Sequence, residues 1–209
     1  MSSSALRLVI IGLAAYALGN INPSIIIGKL RGIDIRKEGS GNAGMTNTIR
    51  VMGMGAGITV FIVDVLKAFV AVKIGISFGG KYGAMVAFAC VIMGHCFPAA
   101  FGFKGGKGVA SAFGAALALN WPSALIAILI AGVLFGITRR MSIASLVAAL
   151  AYPLLIWHFA TDYVFFAIGA AAFLMVMHMA NIKRIAKGEE KPLTIGGDGK
   201  EEKEGEQKK

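Results

Sequence analysis

The stretch GVASAFGAALALNWPSALIAILIAGVLFGIT, Gly108 to Thr138, carries no charge from end to end. A helix crosses about 30 Å of hydrocarbon with roughly 20 residues, so this run is too long for one ordinary span. Asn120-Trp121-Pro122-Ser123 interrupts it with a turn signal, and Trp121 suits a membrane interface. Read as two helices, the run keeps Arg139 and Arg140 on the same side as the earlier basic loops; read as one, it would put them opposite. The first helix, Gly108–Leu119, would be about 18 Å long at 1.5 Å per residue, too short to span alone. Its N-terminus must then begin within the thickness of the membrane. Broken helices of that kind are tolerated where their ends line a polar cavity, which draws attention to the glycines just before Gly108.

Outward from this run, Leu8–Gly28, Tyr82–Phe103, Met141–Thr161 and Tyr163–Ile182 are uncharged and each long enough to cross. Val51–Gly80 is long enough but holds Asp64, Lys67 and Lys73; Asp64 and Lys67 are three apart, share a helix face and can pair there. The expectation is an all-α polytopic membrane helix bundle of seven transmembrane spans, one of them the short broken helix. The loops Lys29–Arg50, Phe103–Lys107, Arg139–Arg140 and the segment after Asn181 then share one basic side, leaving Arg7, Lys81 and Asp162 opposite. That asymmetry predicts an N-terminus outside and a C-terminus in the cytoplasm. Residues 1–195 read as a single transmembrane catalytic domain and 196–209 as a disordered charged tail.

Composition agrees. Of 209 residues 56% are hydrophobic and 15% charged, a balance that gives a soluble domain too little polar surface. The net charge of +10 resides in the body, because the tail carries five acids against four bases. Its partners are therefore anionic headgroups or an anionic substrate. Nucleic acid is excluded, since the bases fall in short clusters between apolar runs. Cys90 and Cys96 form no CxxC and read as packing residues. The N-terminus lacks a basic n-region and a cleavage site, so it reads as a retained first span.

Three polar segments carry the chemistry. Gly39-Ser40-Gly41-Asn42-Ala43-Gly44-Met45-Thr46-Asn47, with Arg50 beyond, sets short donors and glycines at a helix start; it suits an anion, or caps a helix. Gly94-His95-Cys96-Phe97-Pro98 leads to Lys104-Gly105-Gly106-Lys107-Gly108, where backbone N–H groups, two ammoniums and a helix N-terminus are expected to form a phosphate cradle. The alternative is a turn with cytosolic lysines. It is no nucleotide loop, since Phe101 and Gly108 stand where Gly and Ser or Thr are required. In the third segment His178, Asn181 and Arg184 recur at three-residue spacing, and Ser142 and Ser145 open onto the same face. His158 and Asp162 fall on the other side and receive no role. No H-E-x-x-H and no acidic diphosphate motif occurs, so no metal and no cofactor are expected.

Taken together, GSGNAGMTN at Gly39–Asn47, GHCFP with FKGGKGVAS up to Ser111, and HMANIKR with GEE from His178 to Glu190 resemble the bacterial acyl-phosphate:glycerol-3-phosphate acyltransferases. The resemblance runs from about Gly19 to Glu190. It departs at Asn20-Ile21-Asn22-Pro23-Ser24, where the family more often has Ser-Ile-Pro. It implies a multi-pass enzyme of the cell inner membrane, with its site at the cytoplasmic face. Such an enzyme transfers a fatty acyl group from acyl phosphate to the 1-hydroxyl of glycerol 3-phosphate, the first acylation of phospholipid synthesis. Carried over, Lys104, Gly105, Gly106, Lys107 and Gly108, with Ser40 and Asn42, would hold the acyl phosphate. Ser40, Thr46, Asn47, Arg50, Ser142, His178, Asn181, Arg184 and Glu190 would hold glycerol 3-phosphate, and His178, Asn181, Lys104 and Ser142 would serve catalysis.

Acyl phosphate is already activated, so positioning and charge stabilisation suffice without an acyl-enzyme or a metal. The base is either His178 or a phosphate oxygen of a bound substrate. The H-x-x-x-x-D signature of coenzyme A-dependent glycerolipid acyltransferases is absent: Ala100, Tyr163 and Lys183 follow His95, His158 and His178 at that distance. A transporter for a small phosphorylated anion is the alternative; it predicts two related halves, and no internal repeat is found. No obligate protein partner is expected.

Overall fold

The computed structural model describes residues 2–193, and the tail at 196–209 lies outside the described residues. Among the described residues the chain is helical without strands: α1 (Ser3–Asn20), α2 (Pro23–Leu30), α3 (Met45–Met52), α4 (Met54–Cys96), α5 (Val109–Leu119), α6 (Trp121–Thr138), α7 (Met141–Phe159), α8 (Val164–Met177) and α9 (Met179–Ala186). Four helical stretches are long and apolar enough to cross a membrane, or five if the bent pair α8–α9 counts as one. Their outer surfaces are apolar, with Leu13, Leu129, Leu154 and Phe165 exposed. A row of such side chains is stable against acyl chains and costly against water.

The element α4, 43 residues long, is not one rod. At Gly80 the backbone takes φ 55°, ψ −141°, a conformation open to glycine. The chain reverses there. A methyl group on Gly75 would stand 2.4 Å from the Gly83 carbonyl oxygen, whereas eight residues of straight helix would separate them by about 12 Å. The two limbs of α4 thus form a hairpin that holds the core: α1 and α5 pack on α4, α6 on α5 and α7, and α7 on α8.

Close approach is possible because the facing residues are small. Ala68, Ala71, Ala84, Ala87, Ala115 and Ala118 are buried in that core, and a Cβ on Gly114 of α5 would meet the Val65 carbonyl oxygen at 2.1 Å. Without an internal water-driven force between helices in lipid, such contact is what joins them. Gly114→Val is therefore expected to push α5 off α4 and cost at least about 1–3 kcal/mol. Unfolding in mixed micelles reads the loss; an unchanged midpoint contradicts this packing.

Two expected spans are interrupted. Leu8–Gly28 ends as α1 at Asn20, because Pro23 starts α2 and Asn22 caps it by accepting from Ile25 N at 3.1 Å. Tyr163–Ile182 bends by 65° at His178. The turn at Asn120 forms as expected: its Oδ1 accepts from Ser123 N at 3.0 Å and Ser123 Oγ at 2.6 Å, leaving α5 only 11 residues.

Candidate active site

One end of the bundle gathers the three polar segments around a cavity of about 350 Å³. Its polar end is walled by Ser40, Asn42, Arg50, Lys107, Ser142, His178, Asn181, Arg184 and Glu190. Its other walls are Phe61, Phe88 and Phe113 with alanines of α5 to α8, and Tyr152 deeper along α7. Ser142 and Tyr152 lie ten residues apart on one helix, so the cavity extends about 15 Å along α7.

Glu190 is the centre of the polar end. Its carboxylate accepts from Asn181 Nδ2 at 2.7 Å, from Arg184 Nε at 2.7 Å and from Ser142 Oγ. Asn181 Nδ2 also reaches Ser142 Oγ at 2.7 Å, and Lys107 Nζ donates to Asn181 Oδ1. Four elements thereby meet: the start of α5, the start of α7, α9, and the segment after Gly188. That last segment lies as a strap, with Arg140 Nε on the Glu190 carbonyl at 2.8 Å and Leu193 N on the Arg139 carbonyl at 2.7 Å. Burial opposes ionisation of Glu190, but the hydrogen bonds from Ser142, Arg184 and Asn181 hold its carboxyl below the usual range.

Lys107 is displaced in the other direction. Burial, reinforced by Arg184 and Arg50 and opposed by Glu190, lowers its ammonium from the usual lysine range to about 8. The folded protein therefore holds Lys107 charged below that pH and loses the charge above it. A bound phosphate favours the charged form, so kcat/KM for a phosphorylated substrate should fall as pH rises through about 8. Lys107→Arg, which keeps its charge, should move that limb upward; a profile flat to roughly pH 10 contradicts the assignment.

His178 sits at the α8–α9 break, where Nδ1 donates to the Leu174 carbonyl at 2.8 Å. Neutral imidazole then carries its lone pair on Nε2. Arg50, in the last turn of α3, reaches the strap carbonyls of Lys191 and Pro192 at 3.4 and 3.5 Å. Ser40, Asn42 and Thr46 line the cavity.

The other expected contacts are placed differently. Asn47 is fully buried and its amide is spent on the loop, donating to the carbonyls of Ile35 and Glu38 at 3.1 and 3.0 Å and accepting from Ser40 N at 2.8 Å. It lines the cavity and shapes the wall that presents Ser40, and with both N–H groups taken it has no donor left for an anion. Lys104 is exposed, and neither it nor Gly105 or Gly106 lines the cavity. The expected cradle of bare backbone donors does not form from Gly105 and Gly106. Gly105 N donates to Cys96 O at 3.1 Å and Gly106 N to His95 O at 3.2 Å. These N–H groups satisfy the carbonyls at the end of α4, as a helix terminus requires. From this segment Lys107 and Gly108 reach the cavity, together with the first residues of α5, Val109 and Ala110.

Ser24, at the departure from the family pattern, is buried and hydrogen-bonded to Thr48 Oγ1 at 2.7 Å, joining α2 to α3.

Residues 9–188 match the family described as glycerol-3-phosphate acyltransferase. The chain belongs to that family. As an acyltransferase of glycerol 3-phosphate it has curated relatives of the same name. One from Jannaschia sp. (strain CCS1) is 38% identical over 91% of this chain and 95% of its own length. One from Alkaliphilus metalliredigens (strain QYMF) is 35% identical over 87% and 93%. The solved structure of PlsY, an integral membrane glycerol 3-phosphate acyltransferase in its glycerol 3-phosphate form, superposes with a TM-score of 0.85 at 35% identity. It covers 90% of this chain and 96% of that one. The acyltransferase is thus a multi-pass membrane enzyme of phospholipid synthesis, and the transporter alternative falls away.

Proposed function

We propose that the enzyme takes its acyl group from acyl phosphate and delivers it to the 1-hydroxyl of glycerol 3-phosphate, releasing 1-acylglycerol 3-phosphate and phosphate. The observation that carries this reading is the continuity of the cavity. Lys107, Arg184, Arg50 and the start of α5 form an electropositive end beside walls that suit an acyl chain. A donor whose own leaving group is a phosphate matches both ends at once.

In this reading Lys107 and the N–H groups at the start of α5 bind the donor phosphate and stabilise its charge as the acyl–oxygen bond breaks. Arg50, Ser40, Asn42 and Thr46 face the glycerol 3-phosphate, whose phosphate is also within the field of Arg184. His178 Nε2 accepts from a glycerol hydroxyl. Asn181, Ser142 and Glu190 keep Lys107 and Arg184 in place, and Asn47 holds the Ser40 loop. Lys104 adds to the positive field outside the cavity. Charge stabilisation is assigned to these side chains with no metal or cofactor, and no obligate protein partner is invoked.

Seven membrane crossings are proposed, the two limbs of α4 counting separately and α5 crossing only part-way, with the N-terminus outside and the C-terminus in the cytoplasm. The site then opens at the cytoplasmic face of the inner membrane. The reversal at Gly80 and the basic residues gathered with the strap at one end of the bundle support this arrangement.

The donor is tested with purified protein in detergent, labelled glycerol 3-phosphate and either palmitoyl phosphate or palmitoyl coenzyme A. Lysophosphatidic acid should form from the first and not from the second. Product from the thioester alone would overturn the donor assignment.

A further inference from the structure

The cavity has a floor. It reaches Tyr152 on α7, Ala127 on α6 and Ala170 on α8. About one turn deeper the same helices carry Ile156, Ala124 and Ala167, each wholly buried in the hydrophobic core and none lining the cavity. Between the open space and that packed core stand two rings, Tyr152 and Phe88. Phe88 is fixed by an edge-on contact with Phe166, the ring centroids 5.2 Å apart. The Tyr152 hydroxyl is buried and has no hydrogen-bond partner among the described residues. Buried phenols ordinarily find one, so what this position contributes is the ring.

From Ser142 to Tyr152 the cavity runs about 15 Å along α7. An extended carbon chain advances about 1.3 Å per bond, so about twelve bonds separate the polar end from the ring. We propose that Tyr152 is the chain-length determinant of the acyl transfer, its ring stopping the acyl group at the deep end of the cavity; the inference rests on the acyltransferase reading above. A chain that stops short leaves wall atoms without contacts, and one that overruns must bend or displace the ring. One methylene too many or too few in an apolar pocket is worth about 10–200-fold in kcat/KM.

Gly132 of α6 offers an independent handle. It lines the cavity six residues before the end of α6, about 9 Å along the helix, and a Cβ there would meet nothing within 4 Å. A larger side chain at Gly132 therefore fits the fold and takes up cavity space between the polar end and Tyr152.

The test offers wild type, Tyr152→Ala, Tyr152→Phe and Gly132→Leu an equimolar mixture of lauroyl, palmitoyl and stearoyl phosphates with glycerol 3-phosphate in one detergent, and reads the lysophosphatidic acid species by mass spectrometry. Competition within one mixture makes the product ratio independent of enzyme amount. Tyr152→Ala is expected to raise the stearoyl-to-lauroyl product ratio by at least about tenfold and Gly132→Leu to lower it by a similar factor. Tyr152→Phe, which keeps the ring, should keep the wild-type ratio. An unchanged ratio in folded Tyr152→Ala overturns the proposal, as does a Tyr152→Phe ratio that moves as far as that of Tyr152→Ala. Should Tyr152→Ala fail to fold, Tyr152→Leu carries the same prediction with a smaller rise, and no rise in it overturns the proposal. A Gly132→Leu ratio that stays or rises overturns it as well. A wild type that makes no lysophosphatidic acid from any of the three donors would instead fail the donor reading.

Discussion

Lys107→Met is expected to lower kcat/KM by about 10²–10³-fold, the range seen when one charge-stabilising donor is removed from a water-poor site. Methionine retains the apolar stem that lies in the wall, so the loss isolates the ammonium. Two parts of the structure make the effect large. Lys107 is the basic residue of the glycine-rich segment that lines the cavity, and it is already aimed, through Asn181, at the junction of α5, α7 and α9. Lys104→Met, one turn of loop away and exposed, should cost far less. Parallel assays of the two variants at pH 7 check the contrast; equal losses would mean that field strength, not contact, is what the segment supplies.

Lys67→Met is expected to destabilise the fold by about 3–5 kcal/mol, the usual cost of leaving one member of a buried ion pair behind. The carboxylate of Asp64 would lose its closest partner, and the carbonyls of Gly19 and Ile21 would lose the donor that satisfies them where α1 breaks before Pro23. Because both partners are almost wholly buried, solvent cannot take over. Unfolding by rising sodium dodecyl sulfate in mixed micelles reads the change. The double variant Lys67→Met with Asp64→Asn should recover a large part of it, since it leaves no isolated charge. A single variant as stable as wild type would show the pair to be dispensable.

Much of the architecture is legible in the chain because apolar length and turn chemistry are local. Asn120 with Pro122 marks the break between α5 and α6, and the spacing of Asp64 and Lys67 marks a shared face. The breaks at Asn22 and His178 are harder. An uncharged run reads as one span, and whether it bends depends on what packs beside it. The site is legible where side chains end in charge, as at Arg184 and Lys107. It is misread where backbone decides: the N–H groups of Gly105 and Gly106 turn back to the end of α4, and Asn47 turns inward to its own loop. The contact of His95 with Asp64 is invisible to local spacing because Asp64 lies 31 positions earlier, across the reversal at Gly80. A signal was present, since one apolar span held a histidine while its neighbour held an acid and two lysines. Such groups within a membrane are costly unless they pair or work.

In the proposed reading a single cavity grips phosphate at Lys107 and the start of α5 while its apolar walls take the acyl chain. A structure of the protein with lysophosphatidic acid bound tests it most directly. The acyl chain is expected between α5, α6 and α7 alongside Tyr152, with the phosphate in charge-assisted contact, about 3 Å, of Arg50, Lys107 or Arg184. A phosphate held at Lys104 outside the cavity, or a chain lying on the outer surface of the bundle, would contradict it.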